Sequence, residues 1–163
     1  MKAIGIDLAG KEANPTGFCV LEEDGNTQAT SIFYYDRDII AEIRKENPDV
    51  VAIDAPFTFP GEGPFREGDS LLAERGFRPL SPNFPHMQEL VRRVRSLMHS
   101  LPGVRMIEVF SQASSKALGK SWDGKGSKDA FDAWLAALTG MRYLQGRYEE
   151  LGRKEKIVVP KPV

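Results

Sequence analysis

Residues 49–54 read DVVAID, and no other stretch of the chain constrains its fold so tightly. Val50, Val51, Ala52 and Ile53 follow one another with no polar residue between them. A strand with one face in water alternates apolar and polar side chains, so an unbroken apolar run predicts a strand buried on both faces. Strands of that kind lie inside mainly parallel sheets with helices packed on either side.

The rest of the sequence supplies the neighbours and the helices. KAIGIDL (2–8) is a second apolar run ending in an acid. TGFCVLEE (16–23) and TQATSIFYY (27–35) are rich in β-branched and aromatic residues, and the DGN between them is a hairpin signal. These three runs predict an antiparallel meander. Residues 36–47 have helical spacing, with Asp36 as N-cap, Ile39, Ile40 and Ile43 on one face, and Pro48 as the stop. Residues 86–101 form the clearest helix, because Met87, Leu90, Val91, Val94, Leu97, Met98 and Leu101 recur at spacings of three and four. VRMIEVF (104–110) reads as a fifth strand, and residues 112–119 as a short helix closed by Gly119. Ser127 caps a last helix running to about 151, with Gly140 as a break or kink. KIVVP (156–160) is a candidate further edge strand ended by Pro160. The expected fold is α/β: a mixed five-stranded sheet, made of a three-strand antiparallel meander plus parallel strands, with helices on both faces and the first strand near the centre.

A length of 163 residues predicts one domain over 1–163. Within it, residues 55–85 hold six prolines and four glycines and read as an inserted loop with one short helix at 69–76. Loops of that length inside a compact domain are usually functional or mobile. Cys19 is the only cysteine, which excludes an intramolecular disulfide and predicts a reducing, cytoplasmic setting. The N-terminus lacks the apolar run of a signal peptide, and no stretch of 18 apolar residues predicts a membrane span. Lys plus Arg is 22 and Asp plus Glu is 23, so there is no overall basic excess for tight nonspecific nucleic-acid binding, although a local basic patch stays open.

Acids recur where strands end. Asp7 closes AIGID, Asp54 closes VVAID, and Glu108 comes late in VRMIEVF. One such acid alone reads most simply as a turn or cap residue. If the first and fourth strands are parallel neighbours, however, Asp7 and Asp54 lie side by side at their carboxyl ends, where open α/β sheets place their sites. The last helix, SKDAFDAWLAAL, adds Asp129 and Asp132 three apart and therefore on one side. Ala133 and Ala136 continue that side with small residues, while Phe131, Trp134, Leu135 and Leu138 can fill the core. Asp129 could be a first-turn acid that complements the helix dipole. Asp132 lies five beyond the cap among apolar residues and fits that explanation less well. Clustered carboxylates raise one another's pKa unless a positive charge neutralises them. Mg²⁺ or Mn²⁺ favours such oxygen ligands. Zinc does not fit, because His86 and His99 are 13 apart and no cysteine pair exists.

GIDLAG, VVAIDAPFTFP, RGFRPLSP, IEVFSQASSKALG, SKDAFDAWLAAL and IVVP occur in an order that resembles the DUF429 family over nearly the full length. That family is described as predicted nucleases with an RNase H-like fold. The resemblance implies a site built from Asp7, from Asp54 of the IDAP motif, from Asp129 and Asp132 of the KDAxDA helix, and from Glu108, the acid of the EV(Y/F)P motif. The arrangement also resembles RuvC-type Holliday-junction resolvases, in which two acids three apart on a late helix complete the site. One departure is visible: Ser111 stands where the family usually has Pro.

The function implied is two-metal phosphodiester hydrolysis. Asp7 would bridge two ions about 4 Å apart, Asp54 and Asp132 would complete separate shells, and Asp129 or Glu108 would be the fifth carboxylate. The cofactor is one or two Mg²⁺ or Mn²⁺ ions, and the partner is nucleic acid of unspecified type. Lys11, Lys128 and Arg66 are candidate phosphate contacts, with Arg75 and Arg78 beside Arg66 as a candidate clamp; solvated surface charge is the plainer reading of each. RuvC-like enzymes act as dimers, so a homodimer is a further expectation. Two alternatives stay open. One is a noncatalytic nucleic-acid or protein binding module. The other is an ATP- or phosphate-binding protein, since GIDLAG also resembles the first phosphate motif of actin-like ATPases, which share the RNase H core.

Overall fold

β4 (Val50–Asp54), the DVVAID run, is the middle strand of a seven-stranded sheet. β1 (Lys2–Asp7) lies parallel on one side of it and β5 (Met106–Val109) parallel on the other. Beyond β1 come β2 (Thr16–Glu22) and β3 (Thr27–Phe33) as the expected antiparallel meander. Beyond β5 come β7 (Ile157–Pro160), parallel to it, and β6 (Tyr148–Leu151), antiparallel to β7. The order is β3-β2-β1-β4-β5-β7-β6. This computed structural model describes residues 1–163, apart from the side chains of residues 27 and 28. Among the described residues no helix is long and apolar enough to cross a membrane.

Alternate residues of each strand feed two cores. Ile4, Ile6, Phe18, Val20, Val51 and Ile53 face α1 (Asp36–Glu46) and α3 (Pro85–Ser100), which bring Ile39, Ile43, Val94 and Leu97. On the other face Ala3, Cys19, Val50, Ala52 and Val109 meet α5 (Lys128–Leu144) through Ala133, Ala136, Ala137 and Met141. The α5 face is built of small side chains, and the sheet answers with glycine. A Cβ on Gly5 would lie 2.0 Å from the Ala133 carbonyl oxygen, and one on Gly17 would lie 2.0 Å from that of Asp129. Glycine inside a strand weakens it unless another backbone must come close, and here α5 does.

The α/β class expected from the sequence holds, with seven strands in place of five. The difference lies at the C-terminal end. The last helix stops at Leu144, because Gly146 takes φ +71° and the chain turns out of the helix there. The following YEEL is an edge strand, so β7 is internal and not the edge. Gly140 makes no break; its missing side chain seats α5 against Val50 and Ala3. Asp36 opens α1 but is not its cap: Tyr35 holds that position, and the Asp36 carboxylate goes to Arg93 at 2.7 Å.

The proline-rich segment carries α2 (Glu67–Glu74) and is tied to the sheet by an internal ion pair. The Arg66 guanidinium donates to both oxygens of Asp69, at 2.9 and 2.9 Å, and to both oxygens of Glu108, at 2.8 and 2.6 Å. α4 (Ser111–Leu118) follows β5 directly and, with α2, encloses Leu72, Ala113, Leu151, Ile157 and Val159.

Candidate active site

Asp7 and Asp54 end parallel strands whose register pairs Ile6 with Ile53, so the next residues on each strand, the two acids, stand side by side. Both belong to the sheet face that α5 covers, since side chains alternate along a strand and Gly5 and Ala52 lie under that helix. The start of α5 is fixed by Ser127, whose hydroxyl accepts the Ala130 N–H at 3.1 Å. Gly17, which pairs with Asp7 in the β1–β2 ladder, lies beneath the Asp129 carbonyl. The helix therefore lands with its first turn over the end of β1.

Four carboxyl groups meet there. The Asp7 carboxyl is pushed up to about 9, chiefly by burial, then by the charge of Asp54, a hydrogen bond with the Asp129 carboxyl, and the charge of Asp132. Two carboxyl groups can share a hydrogen bond only when one keeps its proton, so without a cation the cluster relieves its own charge by holding a proton between Asp7 and Asp129. Asp54 is pushed up to about 6 by burial, a rise that hydrogen bonds from the Ser111 hydroxyl and backbone N–H hold down and that Asp132 and Glu108 increase. Asp132 accepts the Lys128 ammonium on both oxygens, at 2.6 and 2.6 Å. That Lys is half-exposed. A pair of this kind contributes little to stability and exchanges partners readily.

The donor set fits a hard divalent cation: four carboxylates, with no thiolate or imidazole among them. Among the described residues, however, no three His, Cys, Asp or Glu side chains are already arranged to hold a metal ion. The reason is visible in the partners. Asp54 is turned to Ser111 and Asp132 to Lys128, so the acids are gathered but not closed on a common point.

Glu108 is placed differently from the other four. Its strand neighbour in register is Ile53, on the α1/α3 face, while Asp54 is beside Val109. Its two oxygens are taken by Arg66, and one also accepts the Phe57 N–H at 2.8 Å. Burial pushes the Glu108 carboxyl up, and Arg66 opposes the rise. The geometry also corrects the reading of Arg66 as a phosphate contact: its side chain is 2% exposed and its donors are occupied. Arg75 is paired with Glu149, and Arg78 is exposed.

Lys11 is exposed, with its ammonium 3.8 Å from Glu89. It lines an open cleft of about 540 Å³ with Asp7, Asn14, His86 and Asp129. On the other side of the acids a cleft of about 300 Å³ is lined by Asp54, Ser111, Trp122, Lys128, Phe131 and Asp132. A third cleft, of about 230 Å³, is lined by Asp7 and Asp54 together with Pro56, Arg66, Pro79 and Glu108, so the four carboxylates border three clefts.

Three positioning features escaped the sequence reading. Ser111 was visible only as a departure from a motif. Gly5 and Gly17 carried a usable signal, glycine inside a strand pattern. Arg93 carried none: from α3 it donates to the Ala9 and Tyr34 carbonyls at 2.7 and 2.9 Å, fixing the loop that leaves Asp7.

No protein-family model and no curated protein sequence matches the chain. Among solved structures, RuvC of Thermus thermophilus superposes with a TM-score of 0.54 at 14% identity, covering 90% of this chain and 97% of that one. A protein described as a sugar kinase of Cytophaga hutchinsonii superposes with a TM-score of 0.36 at 16% identity, over 71% of this chain and 38% of that one, which is too loose to carry an argument. The likeness to RuvC is one of fold, and the chain has the RNase H-like fold, with Asp7 and Asp54 at the ends of its two central parallel strands.

Proposed function

We propose that the chain is a divalent-metal-dependent nuclease of the DUF429 type, hydrolysing phosphodiester bonds in nucleic acid. The observation that carries this reading is the crowding of Asp7 by Asp54, Asp129 and Asp132 at the carboxyl ends of parallel strands. Four buried or half-buried acids with no resident cation are a burden on a fold, and a binding module would have no use for them.

Asp7, Asp54, Asp129 and Asp132 would hold one or two Mg²⁺ or Mn²⁺ ions. When bound, these supply a water of lowered pKa and stabilise the charge of the leaving oxygen. Asp7 would be the central ligand of the four, because each of the others acts on it. Ser111 keeps Asp54 ionised and aimed. With a cation on Asp132, Lys128 would be free to meet a substrate phosphate, and Lys11, which lines the cleft on the Asp7 side, would meet phosphate there. Glu108 stays paired with Arg66 and holds the proline-rich segment beside the site.

The test is cleavage of single-stranded DNA, branched DNA and DNA–RNA hybrid in Mg²⁺ or Mn²⁺, with calorimetric titration of Mn²⁺ alongside. Wild type should bind the ion and cut at least one substrate, and Asp7→Asn should do neither. A wild type that takes up no Mn²⁺ and cuts no better than Asp7→Asn would overturn the reading.

A further inference from the structure

The cleft between α4 and the start of α5 has a feature that phosphodiester hydrolysis alone does not use. Trp122 is 38% exposed and lines the same cleft as the acids Asp54 and Asp132. An exposed indole on a loop is normally mobile, but this one is fixed. Its ring N–H donates to the Lys125 carbonyl at 3.0 Å, and the Asp123 carboxylate accepts the Lys125 N–H at 2.8 Å. The loop is therefore closed on itself by its own side chains, and the indole's single donor is already satisfied. What the ring still offers is a flat apolar face.

The surroundings say what suits that face. Residues 120–128 carry Lys120, Lys125 and Lys128 against the one acid Asp123; of these, Lys128 lines the cleft itself, with its ammonium on Asp132. Phe131 lines the same cleft, and its ring packs 5.7 Å from that of Trp134. Gln112, Ser115 and Ser121 add polar groups to the wall. An aromatic face on a lysine-bearing loop, beside short polar side chains and the acids that would hold a cation, suits a nucleobase joined to a phosphate. In an intact duplex the faces of the bases are covered by their neighbours, so only an unstacked base can use this platform.

The geometry points to a base-stacking subsite: Trp122 takes an unpaired base of the strand whose phosphate lies at Asp54 and Asp132, and the substrate class is nucleic acid that is single-stranded or distorted at the cut. This rests on the nuclease reading and narrows it.

The experiment is photo-cross-linking of the full chain, in Ca²⁺, to 20-nucleotide DNA carrying one 5-iodouracil, either single-stranded, unpaired within a duplex, or fully paired. The adduct is mapped by mass spectrometry, and binding is followed by fluorescence anisotropy. The expected adduct is at Trp122 with the first two probes and absent with the paired duplex. Trp122→Ala should lose the adduct and weaken single-strand binding roughly tenfold, while Trp122→Phe keeps most of the affinity. Both variants should melt like wild type, since the side chain is on an exposed loop. If oligonucleotides bind and are cut in Mg²⁺ but the adduct maps elsewhere, or Trp122→Ala binds like wild type, the subsite is overturned and the nuclease reading stands. If no oligonucleotide binds or is cut, both fall.

Discussion

Gly17 lies directly beneath the carbonyl of Asp129: a Cβ at this position would be 2.0 Å from that oxygen and 2.5 Å from its carbon. Gly17 is also the ladder partner of Asp7. One residue without a side chain therefore sets the height at which the acidic turn of α5 sits over the first strand. Gly17→Ala cannot be absorbed by a flexible neighbour, because the atoms in the way are backbone. Overpacking of this kind typically destabilises by about 1–3 kcal/mol, and α5 must lift for the variant to fold at all. Urea denaturation should show that loss, and Mn²⁺ titration of the surviving fold should show weaker binding. A Gly17→Ala protein with wild-type stability and Mn²⁺ affinity would contradict the close approach.

The acid cluster makes stability depend on pH with a definite sign. Asp7 and Asp54 have folded-state values pushed up from the ordinary 3.8 to about 9 and about 6. A carboxyl group raised by folding favours the folded state while protonated, and that advantage is lost as pH rises through the folded value. Between pH 4 and 6 both groups act, and between pH 6 and 9 Asp7 continues to act, while Glu108, also pushed up by burial, adds in the same direction. In EDTA, stability should therefore fall as pH rises from 6 to 8. The ideal slope is about 1.36 kcal/mol per unit, and roughly 1 is expected because the proton is shared. Asp7→Asn should flatten that slope and melt higher than wild type in EDTA at pH 8. Mn²⁺ should raise the wild-type melting temperature at pH 8 and leave that of Asp7→Asn unchanged. Thermal scans across pH, with and without the ion, read all of these outcomes.

What could be read in advance divides by the kind of signal. The DVVAID run, the DGN hairpin and the helical repeat of α3 are local patterns, and each yielded its element. The acids at strand ends were legible because strand-end position follows from the same runs. β6 was not legible: YEEL continues a charged, helix-like surface pattern, and only pairing with β7 makes it a strand. Arg66 looked like a free cation because its partner Glu108 is 42 residues away in sequence. Ser111 looked like a motif defect because its contact with Asp54 spans 57 residues. Long-range partners leave no periodicity behind, so these roles became visible only in three dimensions.

Arg66 supports two distinguishable outcomes on substitution. As an internal strut it holds two buried acids, Asp69 and Glu108, and removing it leaves both unpaired. Breaking a buried pair by deleting one partner typically destabilises by about 3–5 kcal/mol. Arg66→Met should therefore unfold at much lower urea than wild type, and Arg66→Met with Glu108→Gln should recover part of the loss, because one buried charge is gone. If Arg66→Met keeps wild-type stability and instead weakens nucleic-acid binding in anisotropy titrations, the guanidinium serves the substrate and not the fold.

Ser111 occupies the first position of α4, where proline is well tolerated because that N–H has no partner inside the helix. Ser111→Pro should accordingly keep the fold, yet it removes both the hydroxyl and the N–H that hold Asp54. Ser111→Ala removes only the hydroxyl. Each lost donor takes away stabilisation of the ionised carboxylate, so the Asp54 midpoint should climb from about 6, modestly in Ser111→Ala and further in Ser111→Pro. Carbon-13 NMR titration of the Asp54 carboxyl in EDTA measures this directly. An acid that must lose a proton before it can bind a cation binds more weakly at neutral pH. Mn²⁺ affinity at pH 7 should therefore fall in the same order, wild type above Ser111→Ala above Ser111→Pro, and the differences should shrink at pH 9. Equal midpoints in all three proteins would mean that Ser111 packs beside Asp54 without tuning it.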